Sequence, residues 1–518
     1  MDLNSKHVIS IDIGTTGIKT LIVNLSGKEI CSEYEEYPLY CKYSGWAEQD
    51  PKDWWVAVKK GLKNVINKSR IDASNILAIG TSGLTASPVI LNSDGEVLCN
   101  SFIWMDRRSI NECNEIVDKI GKEKIYELTG RRPDPMFVIY KLMWIKKNEP
   151  HIFNNIYKVI QSKDYINYKL TKRIVTDYSI AATFQAMSLK SLNWEPEIFK
   201  ITGIPIEIMP EIKESTDIIG TIEPNIAQEL NLSTETKVVA GGADTVIAAL
   251  GCAAINNGDL VISLGTCSDV TMCSNFAIFD QEMRMGCYPY LRKGQYLTIA
   301  GANSSGISLK WFRDVLFKDV NTKIKKNNIN IYAVMDKLAE EIPPGSEGLN
   351  FLPFLSGERS PIFNSKARGI FAGINLKHKQ GHFIRSILEG VALSIKDRVL
   401  LHEKLGLKIE RVMISGGGAK STLWKRIIAD MIDYPLNTVN IKESTALGAA
   451  ILAMVGSKVY NNIEELFDKV SIIGEKVNPL QKNKIIYDAK YNLYKLLYNS
   501  NVKFFKELDK FEKLIKEK

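Results

Sequence analysis

The strongest constraint on the fold is a pattern that occurs twice. Near its start the chain reads Ser10-Ile11-Asp12-Ile13-Gly14-Thr15-Thr16-Gly17 and continues Ile18-Lys19-Thr20-Leu21-Ile22-Val23. In the second half it reads Val261-Ile262-Ser263-Leu264-Gly265-Thr266-Cys267-Ser268 and continues Asp269-Val270-Thr271-Met272. In each copy a β-branched run ends at Gly-Thr with small polar residues and then resumes as a strand, the pattern of a hairpin closed by a tight polar turn. A chain built this way has two related halves. Its 518 residues suit two large domains, and we place an N-terminal lobe over 1–253 and a C-terminal lobe over 254–518.

Strand-like runs such as Ile76 to Thr81 and Val89 to Leu91 alternate with helical ones. The segment Asp53 to Ile66 reads as a helix with Asp50 as N-cap and Pro51 at its first position. This alternation predicts an α/β fold. In the second half Ile384, Ile387, Leu388, Val391 and Ile395 recur at helical spacing, as do Ala446, Ala449, Ala450 and Ala453. From Tyr491 to Lys518 one helical face carries Leu497, Phe504, Leu508, Phe511 and Ile515. We read it as a terminal helix packed on the fold by that face, in preference to a membrane-surface or calmodulin-like segment.

Several function classes fall away. The 67 Lys and Arg exceed the 59 Asp and Glu by eight, without a basic stripe, so nucleic acid is not an expected partner. Eight cysteines without a CxxC pair read as reduced thiols of a cytoplasmic protein. His378 and His382 stand four apart with no Glu or Cys at a zinc-site spacing and read as a surface turn. Met1 to Lys6 carries no signal-peptide core, and the apolar stretch Val238 to Ile255 is broken by Gly241, Gly242, Asp244 and Gly251, so neither export nor a membrane is expected.

The chemistry sits at glycine turns. Gly14-Thr15-Thr16-Gly17 offers close backbone approach, converging amide hydrogens and two hydroxyls, which is what a polyphosphate needs. No GxxxxGK[ST] occurs, and no GxGxxG follows a strand, so the P-loop and Rossmann classes are disfavoured. Strand alternation puts Asp12 on the face opposite Ile9, Ile11 and Ile13, where a carboxylate could serve a magnesium ion held mainly by nucleotide oxygens and water. Ser263 holds the matching place in the second copy. A third glycine run, Gly416-Gly417-Gly418-Ala419, follows the strand-like Arg411 to Ile414 and opens a helix from Thr422 to Met431, with backbone on which an adenine or ribose could lie. In Val238-Val239-Ala240-Gly241-Gly242-Ala243-Asp244-Thr245 a strand meets a double-glycine turn and a carboxylate at a helix mouth. Asp244 reads equally as an N-cap or as a general base for a hydroxyl acceptor.

This set of motifs resembles the FGGY family of carbohydrate kinases, over about residues 7 to 455. The motifs run in family order: Asp12 to Thr16, Gly45 to Pro51 with Trp54-Trp55, Trp104-Met105-Asp106-Arg107-Arg108, Lys141-Leu142-Met143-Trp144, Gly241 to Asp244, Gly265-Thr266, Ser356 to Arg359, Ala367-Arg368-Gly369, Gly416 to Ala419 and Leu447 to Ala450. The resemblance implies a two-lobed, actin-like (ribonuclease H-like) ATPase fold with a central cleft, in which ATP and magnesium bind as the lobes close on a sugar. It implies Asp244 as catalytic base, Asp12 as the metal carboxylate, and Asp12, Gly14, Thr15, Thr16, Lys19, Gly265 and Thr266 around the phosphates. Gly306, Lys310, Gly418, Ala419 and Thr422 match its nucleotide side. Thr85, Ala86, Trp104, Asp106, Asp244 and Thr245 fall on its acceptor side, and Glu358 and Arg359 read as structural.

The motifs stand nearest to xylulose kinases, with two departures. Where those show Ser-Gly-Gln-Met-His-Gly this chain has Ser82-Gly83-Leu84-Thr85-Ala86-Ser87, so Ala86 replaces a histidine, and Thr245 replaces a common asparagine. An unmatched buried polar group costs about 1–3 kcal/mol, enough to change an acceptor preference. We therefore expect an ATP-dependent sugar kinase for a ketopentose such as xylulose. A hexulose, a sugar acid such as gluconate, or a polyol remain open, as does a non-catalytic nucleotide switch of the same fold. The oligomeric state is left open, a homodimer included.

Overall fold

The computed structural model describes residues 5–317, 330–439, 443–470 and 472–516. Met1 to Asn4, read above for a signal peptide, and the last residues of the tail, Glu517 and Lys518, lie outside them. Two compact units emerge. The first holds Met1–Ile255, Cys273–Thr298 and Ile441–Ile472; the second holds Asn256–Met272, Ile299–Asn440 and Ile473–Lys518. The units thus exchange segments beyond the single boundary drawn from the sequence.

In the first unit β1 (His7–Ile13) and β2 (Gly17–Asn24) form the first hairpin, with β3 (Glu29–Glu36) beside β2. Helix α1 (Pro51–Ser69) begins where expected: Asp50 is its N-cap and accepts from Lys52 N–H at 2.9 Å. Trp54, Val58, Leu62 and Val65 recur on its core side and are fully buried, and the helix packs on β2 and β3. β4 (Ile76–Gly83) then runs parallel to β1. Helix α2 (Val138–Asn148) follows. β5 (Ile218–Thr221) pairs antiparallel with β6 (Lys237–Val239), and β6 and the two-residue β7 (Gly242–Ala243) both run parallel to β4. The sheet order is β5-β6-β4-β1-β2-β3, with β7 on β4. Helix α3 (Asp244–Gly251) leaves β7 directly.

The second unit repeats the plan. Strands β8 (Asp259–Leu264) and β9 (Ser268–Ser274) form the second hairpin, and β10 (Tyr296–Ala302) lies beside β9. Helices α4 (Gly306–Val315), α5 (Ile331–Glu340) and α6 (Gln380–Lys404) come next, then β11 (Arg411–Ser415), which is parallel to β8. Helix α7 (Thr422–Ile432) leads to β12 (Leu436–Val439), parallel to β11. With β13 (Ile473–Val477) antiparallel to β12, the order β9-β8-β11-β12-β13 matches β2-β1-β4-β6-β5 in strand direction at every pair, although β13 follows β12 in the chain whereas β5 precedes β6. The duplication read from two turns therefore extends to whole sheets.

Helix α8 (Ser444–Gly456) belongs to the first unit, although it follows the second sheet in the chain. Every residue from Ala446 to Gly456 is buried, as an apolar-all-round helix requires. It packs on α3, β4 and β1. The approach is so close that a Cβ on Gly251 would sit 1.8 Å from Ser444 O, and one on Gly448 2.1 Å from Ile247 O.

The terminal helix α9 (Gln481–Lys516) is longer than expected, and the face read from the sequence is only partly the packed one: Leu497 and Leu508 are half-buried. Tyr487, Tyr491, Tyr494 and Phe505 are buried, whereas Phe504, Phe511 and Ile515 are more than half exposed. Its distal half is docked by charge: Asp509 pairs with Lys366 at 2.9 Å and Glu512 with Arg368 at 2.7 Å. Tyrosine rings bury readily when the hydroxyl finds a partner, as Tyr491 does in donating to Asp397 at 2.5 Å, so a stripe read from Leu, Phe and Ile alone missed part of the packed face.

Candidate active site

In the first unit the turn Gly14–Thr16 is closed by Gly14 N–H donating to Gly17 O at 3.0 Å. It is held from outside by side chains. Tyr37 donates to Gly14 O, Gln49 Nε2 donates to Thr15 O at 2.8 Å, and Trp104 Nε1 donates to Thr15 Oγ1 at 3.0 Å. Thr15 then has its own hydroxyl hydrogen to give to an anion. Thr16 Oγ1 is 2.8 Å from Tyr34 Oη.

Asp12, Ser82 and Asp244 converge at the C-terminal ends of parallel strands. The register sets Asp12 level with Ser82, and Ser82 level with Gly242, two residues before Asp244. Asp12 is partly buried and accepts from Ser82 Oγ at 2.6 Å. Its carboxyl is pushed up from 3.8 to about 6, by burial first and the charge of Glu443 next, against the Ser82 hydrogen bond and Lys19. Lys19 stands opposite Asp12 on β2 and is ion-paired to Glu443 at 2.8 Å.

The strand-to-helix turn before Asp244 needs its first glycine. Gly241 has φ +78°, and a Cβ there would meet Thr81 O at 2.1 Å. Beneath it Lys163, fully buried, pairs with Asp177 at 2.9 Å and with Asp164, and donates to Ala240 O at 2.9 Å. Ser179 Oγ accepts from Ala243 N–H at 2.8 Å. Ala243, not Asp244, occupies the N-cap position; Asp244 is the first helical residue, and its Oδ1 accepts from Thr245 N–H at 2.6 Å. Asp244 and Thr245 are partly exposed.

The acceptor-side residues divide. Thr85 is partly exposed and Trp104 is 42% exposed. Asp106 is fully buried: its carboxylate accepts from Ala47 N–H at 2.7 Å and from Arg108 Nη2 at 2.7 Å. Asp106 is therefore built into the loop that carries Trp104. Ala86 is also fully buried, in the left-handed region at φ +54°.

In the second unit the Gly265–Thr266 turn carries the start of α4. Gly306 N–H donates to Gly265 O at 2.9 Å and Ile307 N–H to Thr266 O at 3.1 Å. Arg398, fully buried, donates to Ser268 O at 2.7 Å and to Ser268 Oγ at 2.9 Å just beyond the turn. Glu358 Oε1 accepts from Asn303 N–H at 3.0 Å and from Arg359 N–H at 2.8 Å. A cavity of about 660 Å³ opens over this turn, within the range of small-molecule sites. Of the residues expected on the nucleotide side, Gly265, Thr266, Gly306, Lys310 and Gly418 line it, while Ala419 and Thr422 do not. Tyr332, Asp336, Ser421 and Trp424 also line it and were not anticipated. Burial raises the Asp336 carboxyl above its usual range, with a Ser421 hydrogen bond opposing. The first two come from a helix with no motif of its own; the Ser421 cap of α7, accepting from Trp424 N–H at 3.0 Å, could have been seen in the Ser-Thr-Leu-Trp start.

Elsewhere, His382 is buried in the first turn of α6 and His378 is partly buried just before it, the two ring centroids 5.0 Å apart. All eight cysteines are free thiols. Among the described residues no cluster of three or more His, Cys, Asp or Glu forms a metal site, and no helix is long and apolar enough to cross a membrane.

Known proteins match the chain over nearly its whole length. Residues 7–251 match the N-terminal domain, and residues 260–457 the C-terminal domain, of the FGGY family of carbohydrate kinases. Xylulose kinase of Bacillus subtilis is 30% identical over 95% of this chain and 97% of its own length. Gluconokinase of the same organism is 30% identical over 90% of both. The crystal structure of ligand-bound xylulose kinase from Lactobacillus acidophilus superposes with a TM-score of 0.89 at 29% identity, covering 97% of this chain and all of that one. With both domains matched in order and the duplicated sheets in place, the chain belongs to the FGGY family of carbohydrate kinases and is an ATP-dependent sugar phosphotransferase.

Proposed function

We propose that the chain transfers the γ-phosphate of ATP to a hydroxyl of a ketopentose such as xylulose, with Asp244 as general base. The convergence of Asp12, Ser82 and Asp244 at three adjacent strand ends carries this reading. It sets the carboxylate assigned to the acceptor close to the turn assigned to the phosphates, with a hydroxyl between the two acids.

In this scheme the second unit's cavity takes the nucleotide, with the Gly265-Thr266 backbone toward its phosphates and Lys310 as a nearby cation. In the first unit Thr15 and Thr16 donate to phosphoryl oxygens and Trp104 orients Thr15. Lys19, tied to Glu443, acts on charge at a distance rather than by grasping an oxygen. Thr85 and Thr245 border the acceptor, while the buried Ala86, with Asp106, Ala419 and Thr422, supports the backbone beside its neighbours. Asp244 receives the acceptor's proton late in the transfer, so its orientation matters more than its basicity.

The donor set fits magnesium. Asp12 is a single desolvated carboxylate backed by a hydroxyl, and Mg²⁺ ordinarily keeps several waters and substrate phosphates in its shell rather than a protein cage. When bound, the ion would neutralise charge on the nucleotide's phosphates. Asp12 would hold it.

A sugar acid such as gluconate is the second reading. Ala86 offers no side-chain hydrogen bond where xylulose kinases carry histidine, and the gluconokinase relative is as similar as the xylulose kinase one. An ADP-release assay over pentuloses, hexuloses, aldonates and polyols tests both. The first reading requires xylulose to give the highest kcat/KM; a preference for gluconate replaces it with the second.

A further inference from the structure

Lys141, on helix α2, is wholly buried among backbone carbonyls. Its Nζ donates to Ala86 O at 2.6 Å, to Phe102 O at 2.7 Å and to Ile103 O at 2.9 Å. An ammonium has three hydrogens, and here three acceptors take them. They belong to two loops that are distant in sequence. One holds Thr85 and Ala86; the other leads into Trp104, whose Nε1 reaches Thr15 in the phosphate turn.

Both loops need holding. Ala86 is a non-glycine residue at φ +54°, a conformation costing about 1 kcal/mol or more that persists only where neighbours impose it. Its N–H bonds Thr183 Oγ1 at 3.3 Å and its C=O bonds Lys141, so both sides of the residue are pinned. Asp106 and Arg108 supply the nearest opposing charges, Asp106 favouring the ammonium and Arg108 disfavouring it, as Asp134 and Arg107 do more weakly. Burial outweighs them and pulls the Lys141 ammonium down to about 7. A lysine kept there at such a desolvation cost is poor stabilisation if an apolar side chain would serve.

We infer that Lys141 is a positioning residue for phosphoryl transfer: it fastens the Ala86 turn to the Phe102–Trp104 loop, and through Trp104 it sets Thr15. This rests on the acceptor-side reading of those loops given above. Lys141 is wholly buried with its three hydrogens committed to carbonyls, so its loss acts through geometry. The nucleotide cavity shares no residue with either loop.

The test uses the full chain as wild type, Lys141→Met and Lys141→Arg, with the best acceptor from the panel and ATP. Lys141→Met is expected to raise the acceptor KM at least about tenfold, the effect of losing even one of its three hydrogen bonds. ADP affinity by calorimetry should stay within about twofold, because the cavity is untouched. Amide hydrogen exchange should quicken at residues 84–87 and 102–106 together, and Lys141→Arg should recover part of the acceptor KM. Should Lys141→Met fail to fold, Lys141→Gln, which keeps two N–H donors, is read the same way. An unchanged acceptor KM with wild-type exchange in both loops would overturn the inference while leaving the function standing. A wild type that transfers phosphate to no member of the panel would overturn the functional reading and this inference with it.

Discussion

Ser82 Oγ donates to Asp12 Oδ1 across 2.6 Å, joining two residues that stand level on neighbouring parallel strands. The bond only partly offsets the loss of water around the carboxylate, which stays pushed up to about 6. The folded state therefore binds a proton more readily than the unfolded chain between pH 3.8 and about 6, and stability contributed by this residue grows as pH falls through that window. Above it, the ionised acid costs on the order of 2–3 kcal/mol once its partial exposure is allowed for. Asp12→Asn should accordingly raise Tm at pH 8 and change it little at pH 4, while abolishing transfer at both. Calorimetry of the variant at the two pH values checks this; equal Tm shifts would show that Asp12 carries no such penalty.

Asp244→Asn keeps an oxygen that can accept from Thr245 N–H, so the start of α3 should survive. Only the proton acceptor is lost. We expect kcat to fall by about 10³-fold, within the range for removing a general base, with ADP affinity unchanged. A loss below about tenfold would assign Asp244 to structure alone.

Ala333 lines the cavity of the second unit and is exposed there. Ala333→Trp should fill that space with an indole and weaken ADP binding by more than about tenfold, since a rigid packed wall admits no overlap. Acceptor KM at saturating ATP should not move. Unaltered ADP affinity would place the nucleotide elsewhere.

Gly448→Ala would put a methyl 2.1 Å from Ile247 O, a backbone atom that cannot rotate away. Helices α3 and α8 would have to part, at about 1–3 kcal/mol. Tm should drop by roughly 5 °C. Because α3 begins at Asp244, kcat should fall as well, which a thermal scan and an assay on one sample can compare.

The two hairpins, the capped α1 and the glycine turns were legible because each is specified by neighbours along the chain: an alternation of two, a Gly-Thr bend, an Asp-Pro start. Alternation also explains why Asp12 could be singled out, the one carboxylate of its strand, on the face opposite Ile9, Ile11 and Ile13. The cavity proposed for the nucleotide was half legible. Gly265, Thr266 and Gly418 announce themselves as bends, whereas Tyr332 and Asp336 come from an ordinary amphipathic helix that meets them only in space.

What the sequence determined by itself was therefore the duplicated α/β plan, the family, and the glycine turns on which the proposed chemistry rests. Tertiary structure decided the rest. Asp12, Ser82 and Gly242 become neighbours through strand pairing across 70 and 160 residues of chain, the all-apolar α8 is buried against α3, β4 and β1 of the first unit, and Lys141, visible in the sequence only as part of a motif, is committed to three carbonyls from two distant loops. Local patterns follow from the conformational preferences of a few adjacent residues, but which polar groups must satisfy one another out of water is settled only when segments far apart in the chain are buried together.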